Sequence, residues 1–423
     1  MILSTPLSAR ELAASVMDDV TTHSAPSGHK PPFVTRGTPQ FIQITLALFS
    51  AGLATFALLY CVQPILPVLS QAFGTSPASS SLSLSVSTIT MAAGLLFTGP
   101  LSDTIGRKNV MVVSLLLASV CTLIACTMTN WQGLLAMRAL TGLALSGVAA
   151  VAMTYLSEEM HPSVVAFSMG LYISGNSIGG MSGRLLTGVM TDFFGWRVAI
   201  ACIGSVALLA SLIFWRILPD SCHFRAGSLR PKILWLNARL HWHDAGLPLL
   251  FAEGFLLMGT FVTLFNYIGY RLLAGPYQLS QTVVGLLSVV FLTGSYASPR
   301  AGAMTARFGR GPVLLGSITL MLCGLLLTSF SPLMVILVGM MLFTAGFFAA
   351  HSVASSWIGI RAQRAKGQAS SQYLFCYYLG SSLAGTLGGF FWYHYGWTGI
   401  VLFLSSLLLL ALWLGIKLKA LKN

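Results

Sequence analysis

Twelve apolar stretches, each near the length of a bilayer-crossing helix, divide this 423-residue chain. They lie at 41–66, 81–101, 110–128, 133–156, 165–187 and 198–218, then at 248–270, 282–297, 313–330, 333–358, 369–392 and 398–416. Roughly 20 helical residues are needed to cover about 30 Å of hydrocarbon. The stretch from Thr282 is short and is expected to run on toward Arg300. Most of these segments are apolar on every face, which a helix at a water-facing surface is not. Only 8% of residues are charged, too few to cover the surface of a soluble protein of this length. The fold class predicted is an all-α membrane protein with twelve transmembrane helices.

The charges fix the expected orientation. The net charge is +13, but the basic residues form no single patch of the kind that binds nucleic acid. They fall in every second break: Arg107 and Lys108; Arg216, Arg225, Arg230, Lys232 and Arg239; Arg300, Arg307 and Arg310; Arg361, Arg364 and Lys366; and Lys417, Lys419 and Lys422 at the end. The alternate breaks hold only Arg197 and Arg271. This is the positive-inside pattern, and it places both termini in the cytoplasm.

Residues 1–40, rich in Ser, Thr, Pro and Ala, read as a disordered cytosolic tail without the apolar core of a signal peptide. Two six-helix bundles follow, 41–218 and 247–416, joined by a linker at 219–246 and closed by a basic tail at 417–423. Within the linker, residues 228–243 mix basic and apolar side chains. They suit either a helix lying on the membrane surface or a plain cytosolic connection. The seven cysteines show no metal-type spacing, and neither a metal nor a cofactor is expected.

The two bundles are copies of one unit. The break after the second span holds Gly99, Asp103, Gly106, Arg107, Lys108 and Val110. The break after the eighth holds Gly302, Ala306, Gly309, Arg310 and Val313, with the glycines, the arginine and the valine each 203 residues on. Gly195-Trp196 is answered by Gly396-Trp397. Duplication implies pseudo-symmetric halves, and parallel repeats of this kind place a binding site at their interface near the bilayer midplane.

The motif at residues 99–108 resembles the signature loop of the major facilitator superfamily. A second signature follows at Leu134, Arg138, Thr141 and Gly142. Tyr60, Gln63, Pro64 and Pro67 in the first span are similar to drug:proton antiporter-like branches. The runs 54–74, 168–183 and 346–359 resemble bacterial inner-membrane transporters of the YnfM type. The resemblance implies the major facilitator fold and secondary active transport of a small organic solute. It also implies a bacterial inner-membrane location and, by default, a monomer. It ties Arg138 to proton coupling, and it has Asp103 docking near the start of the eleventh span as a cytosolic latch. Gly175, Gly179, Gly180 and Gly183 before Arg184 resemble the antiporter motif, except that Asn176 stands where a proline is expected.

Glu253 is the single acid inside an apolar span, and an ionised carboxylate there is costly. It is the candidate proton carrier, against a purely structural carboxyl. Arg138 and Arg184 cannot easily shed charge and must find partners inside the bundle. Tyr60, Gln63, Asn266 and Tyr267 are polar residues at matching places in the first and seventh spans. They suit either a solute cavity or helix cross-linking. His351 is a further cavity candidate or a satisfied hydrogen-bonding residue. Trp131, Trp196, Trp357 and Trp397 are read as interfacial anchors.

These features predict proton-coupled efflux by alternating access. Proton-coupled uptake, a non-transporting sensor and a membrane-embedded enzyme are the alternatives. For an enzyme only Glu158, Glu159 and His161 form an acid–histidine cluster, and no ATP-binding loop is present.

Overall fold

The computed structural model describes residues 33–224 and 231–421. Its helices are α1 (Pro39–Tyr60), α2 (Leu66–Phe73), α3 (Pro77–Ile105), α4 (Arg107–Ala125), α5 (Trp131–Glu159) and α6 (Pro162–Ile217). A helix in the linker follows, α7 (Pro231–Trp242), and then α8 (Leu247–Leu273). The eighth span is built from α9 (Gln281–Leu286), a 3-10 turn (Leu287–Val290) and α10 (Phe291–Phe308). The chain ends with α11 (Arg310–Leu327), α12 (Leu333–Arg361) and α13 (Lys366–Ala420).

Among the described residues, ten helical segments are long and apolar enough to cross a membrane. Two of them, α6 and α13, are 56 and 55 residues long. At 1.5 Å per residue each would be more than twice the bilayer core if straight. Each instead breaks at a glycine with positive φ: Gly195 at 81° and Gly396 at 57°. A side chain at either position would force a strained backbone.

The packing shows that the chain reverses at both breaks. Gly175, Gly179 and Gly183 sit on Phe49, Leu53 and Ala57 in ascending order, so the first limb of α6 runs parallel to α1. Beyond Gly195 the order descends, with Gly204 on Leu123 and Ser211 beside Ser119 of α4. In α13, Gly380 sits on Phe255 and Gly388 on Thr263, while Gly415 packs on Leu315 and Gly311 on Lys419. Twelve spans in two six-helix units result, as the hydropathy and the repeat predicted. Glycine at these contacts lets backbones approach closely where lipid supplies no hydrophobic drive for association.

Four expectations change in detail. The eighth span runs on past Arg300 to Phe308, through the 3-10 turn. Residues 1–32 and 225–230 of the expected tail and linker lie outside the described residues. The last part of the tail is ordered: Val34 is buried and pairs with the end of α5, its N–H donating to Glu159 O at 2.9 Å. The anchoring role read for the tryptophans does not hold for Trp196 and Trp357, which are buried, the first against Phe73. Part of the linker is helical. Trp235, Leu236, Leu240 and Trp242 of α7 are exposed, and His241 ties the helix to Gln372 at 3.2 Å.

Candidate functional site

The first span is interrupted between α1 and α2, where Pro64 has no N–H to offer the Tyr60 carbonyl. The Gln63 N–H instead turns back to Tyr60 O at 3.0 Å, which leaves the Leu59 carbonyl without its usual helical donor and open to a side chain. Arg138 donates from Nη1 to Leu58 O at 2.9 Å and from Nη2 to Leu59 O at 2.6 Å. Its Nε donates to Ser83 O of α3 at 3.0 Å. A cation at a helix C-terminus is favourable both as a donor and through the helix dipole. Arg138 is 1% exposed and spans three helices of the first half.

The same interruption turns Gln63 toward the other half. Its Nε2 donates to Oδ1 of Asn266 on α8 at 2.7 Å, and its Oε1 accepts from Nε of Arg184 on α6 at 2.6 Å. Arg184 also donates from Nη1 to Gly180 O at 2.6 Å and lies over the rings of Tyr60 at 4.3 Å and Phe291 at 4.7 Å. Arg184, Gln63 and Asn266 thus form one buried polar chain across the two halves. Beside it is a cavity of about 20 Å³, lined by Gln63, Pro64, Arg184, Phe265, Ile268, Val284, Leu287 and Ser288. That is room for about one water molecule and not for an organic solute.

Tyr60 is buried beside Arg184, and its hydroxyl has no partner among the described residues. Tyr267 lies apart from the arginine and donates to Gly385 O at 2.9 Å, cross-linking α8 and α13. His351 is held in an aromatic layer, its Nδ1 2.8 Å from the Tyr373 hydroxyl and its ring 4.7 Å from that of Tyr377. Phe291, Tyr373 and Tyr377 are site residues that sequence reasoning passed over. The i, i+4 spacing of the two tyrosines in the eleventh span was the available signal.

Glu253 on α8 is 0% exposed. Neither carboxyl oxygen has a hydrogen-bond partner among the described residues. Gly415 of α13 lies beside Oε1, and the ring of Tyr373 packs on the adjoining Gly254. Glu253 belongs to the second half, whereas the described partners of Arg138 all lie in the first. The structure does not bring this pair together.

At the basic end, Asp103 pairs with Arg107 at 2.5 Å, and Arg107 makes a two-pronged contact with Glu158 at 2.7 and 3.1 Å. Lys108 reaches Asp220 at 3.0 Å. In the second half Asp244 pairs with Arg361 at 2.5 Å and caps α8 through the N–H groups of Gly246 and Leu247. Burial opposes ionisation of Asp244. The bonds from Arg361, Gly246 and Leu247 outweigh it and hold the carboxyl below the usual carboxylate range. Each of these ion pairs lies within one half or ties that half to its adjoining end of the linker.

Asp103, expected to dock at the start of the eleventh span, has Arg107 as its described partner. Gly106 and Gly309 form matching helix junctions, with φ of 102° and 81°. Gly99 and Gly302 face open space. Arg310 starts α11, and its Nε is enclosed with no partner among the described residues.

Among the described residues, the bonds between the halves, such as Gln63–Asn266 and Asp192–Thr282, lie at the centre and the opposite end. Asp192 of α6 accepts from the N–H groups of Gln281 and Thr282 at 3.1 and 2.6 Å. Gln281 Nε2 donates to Pro64 O, and Ser80 meets Tyr270 at 2.9 Å. A Cβ on Gly188 would lie 2.8 Å from Cα of Gly285. Along α3 the joining bonds run as deep as Thr88, which meets Ser382 at 2.7 Å. Along α6 they run as deep as Met181, whose carbonyl accepts from Ser288 at 3.1 Å.

Residues 46–273 match the family model of the Major Facilitator Superfamily. The chain is 71% identical over 386 residues to the inner membrane transport protein YnfM of Escherichia coli, covering 91% of this chain and 93% of that one. It is 44% identical to the uncharacterized MFS-type transporter YybF of Bacillus subtilis, covering 90% and 95%. Among solved structures it resembles the nucleoside transporter NupG (TM-score 0.75, 14% identity, 89% and 99% covered). It also resembles a bacterial homologue of the lysosomal transporter Spinster in an inward-facing, unoccupied conformation (TM-score 0.69, 15% identity, 91% and 96% covered). With its apolar helices, the likeness to YnfM makes this a multi-pass inner-membrane protein. The chain belongs to the Major Facilitator Superfamily and is a transporter, not an enzyme.

Proposed function

We propose that this transporter exports a small organic solute in exchange for protons, by alternating access around the Gln63–Asn266 contact. The observation that carries the coupling is Glu253, an acid enclosed in a span with both oxygens unpartnered. A charge there would lose its hydration and gain neither counter-ion nor hydrogen bond, at a cost of several kcal/mol. The neutral acid avoids that cost. Exposing the same group to water in another arrangement of the helices favours ionisation. A group whose proton occupancy changes with conformation is what a proton carrier requires.

The orientation rests on the excess of Lys and Arg in the breaks that share a side with the termini, which assigns that side to the cytosol. On that assignment the joining bonds close the outer end, and the cytosolic ends of the two halves carry separate ion-pair sets. The arrangement is the cytosol-open one, in keeping with the inward-facing state named for the Spinster homologue. Closing the cytosolic end and parting the outer contacts would present the central site to the outside. Glu253, enclosed in the arrangement described, would exchange its proton with water when the helices around it part during that cycle.

The test uses proteoliposomes with a trapped pH dye, an imposed proton gradient and a panel of small organic solutes. Proton movement opposite to solute movement is expected. Proton and solute moving together would make the protein a symporter, and solute flux without protons would make it a facilitator.

A further inference from the structure

Arg138 and Arg184 are both buried arginines, but their charges are treated differently. Arg138 is solvated by three carbonyls, two of them near a helix end. Arg184 has one carbonyl and one neutral amide oxygen, and among the described residues no carboxylate pairs with it. Its Nη2 donors are unused by the described protein, and the guanidinium borders the central cavity. An uncompensated cation in a low-dielectric interior is costly. Nothing in the fold requires one here, because Gly180 and Gln63 could be served by a neutral donor.

The surroundings of Arg184 are apolar and aromatic. Tyr60 and Phe291 offer their ring faces to the guanidinium. Phe265, Ile268, Val284 and Leu287 wall the cavity. The Tyr60 hydroxyl, 3% exposed as a residue, has no partner among the described residues. The site therefore combines a forked cation, a spare hydroxyl and an apolar wall. A ligand that matches it carries a compact planar anion on an apolar body.

We infer that Arg184 binds the carboxylate of the transported solute, so that the substrate class is amphiphilic organic acids in their anionic form. The inference rests on the reading of the protein as a solute carrier. Gln63 Oε1, 2.6 Å from Arg184 Nε, occupies the place of one carboxylate oxygen. A carboxylate accepting from the guanidinium fork makes two charge-assisted bonds where the amide makes one neutral-acceptor bond. Solute binding thus displaces Gln63 and strains its link to Asn266, the bond that ties the halves together at the centre.

The test is direct binding to the purified full-length protein in detergent, read by thermal unfolding, with no flux required. Benzoate, 2-naphthoate and octanoate are compared with their uncharged amides at pH 7. At least one acid is expected to raise the unfolding midpoint while its amide does not. Arg184→Gln is expected to weaken that acid roughly ten- to hundredfold, the scale of a lost charged hydrogen bond. Should Arg184→Gln not fold, Arg184→Lys serves, with the preference for acid over amide kept and affinity reduced. Gln63→Ala is expected to bind the acid more tightly, because the competing oxygen is gone. Equal binding of acid and amide, no binding of any acid, or binding unchanged in the Arg184 variants would each overturn the assignment. Anion binding without proton-linked flux would leave this site standing and remove the antiport reading. Proton-linked flux of uncharged solutes alone would do the reverse.

Discussion

Gln63 and Asn266 meet amide to amide at 2.7 Å although 203 residues separate them. Each holds the same place in its own six-helix unit. A contact between equivalent positions of two copies lies on the axis that relates them, as in an isologous interface. The two halves are thus joined at their pseudo-symmetry axis, one residue pair away from Arg184.

Breaking the joint is expected to favour the outward-open arrangement. An interhelical side-chain bond in a membrane is worth about 0.6 kcal/mol on average, with roughly 1–2 kcal/mol at the upper end. Asn266→Ala should therefore shift the ratio of states by about threefold. Spin labels on cysteines placed at the exposed outer residues Ala72 and Gln278 would report it. A longer mean distance is expected, and an unchanged distribution would show that the contact is incidental.

The outer closure depends on two backbones touching. A Cβ on Gly188 would lie 2.8 Å from Cα of Gly285, backbone that cannot move aside as a side chain can. Gly188→Leu is expected to hold the outer end open and abolish turnover while leaving the protein folded. Retained turnover would mean the halves part elsewhere. Raised accessibility of a cysteine at Gln281, buried in the outer closure, to a membrane-impermeant maleimide would confirm the trapped state.

Arg138 is expected to be structural before it is functional. Its three nitrogens serve three carbonyls on two helices. A hydrogen bond to a charged group contributes about 1.5–3 kcal/mol. Arg138→Gln should cost about 3 kcal/mol or more in unfolding experiments in mild detergent. Arg138→Lys should recover little, since one ammonium cannot span the three acceptors. Full stability with lost proton coupling would instead favour a direct role.

The cytosolic ion pair of the second half has a pH signature. The Asp244 carboxyl is held below its usual range by Arg361 and two backbone donors. A depressed pKa contributes stability that is full above the unfolded-state value near 3.9 and is lost as pH falls through the folded value. Stability should therefore fall on acidification below about pH 4, and Asp244→Asn should flatten that fall. An unchanged acid limb in the variant would show that Arg361 gains nothing from the pair.

The spans, their orientation code and the duplication were legible because lipid imposes them residue by residue. Gly195-Trp196 and Gly396-Trp397 even marked the two reversals. Gln63 and Asn266 were visible as equivalent polar positions, yet their direct contact was not. Equivalence fixes place within a unit and says nothing of how two units dock. Asp103 shows a second limit. Its motif is written once for a cycle of several conformations, and this structure holds the one in which Arg107 is its described partner. Glu253 stood out as the lone acid in a span, but whether it had a partner depended on which helices faced it. That is set by packing between α8 and α13 and by no local pattern.

The most direct test of proton coupling is Glu253→Gln in proteoliposomes, comparing solute counterflow without a gradient against solute movement driven by an imposed pH gradient. The amide keeps the shape and removes the titrating proton. Counterflow near the wild-type rate with gradient-driven movement abolished is the predicted result. Gradient-driven movement that survives in the variant would contradict the assignment of Glu253 as the proton carrier.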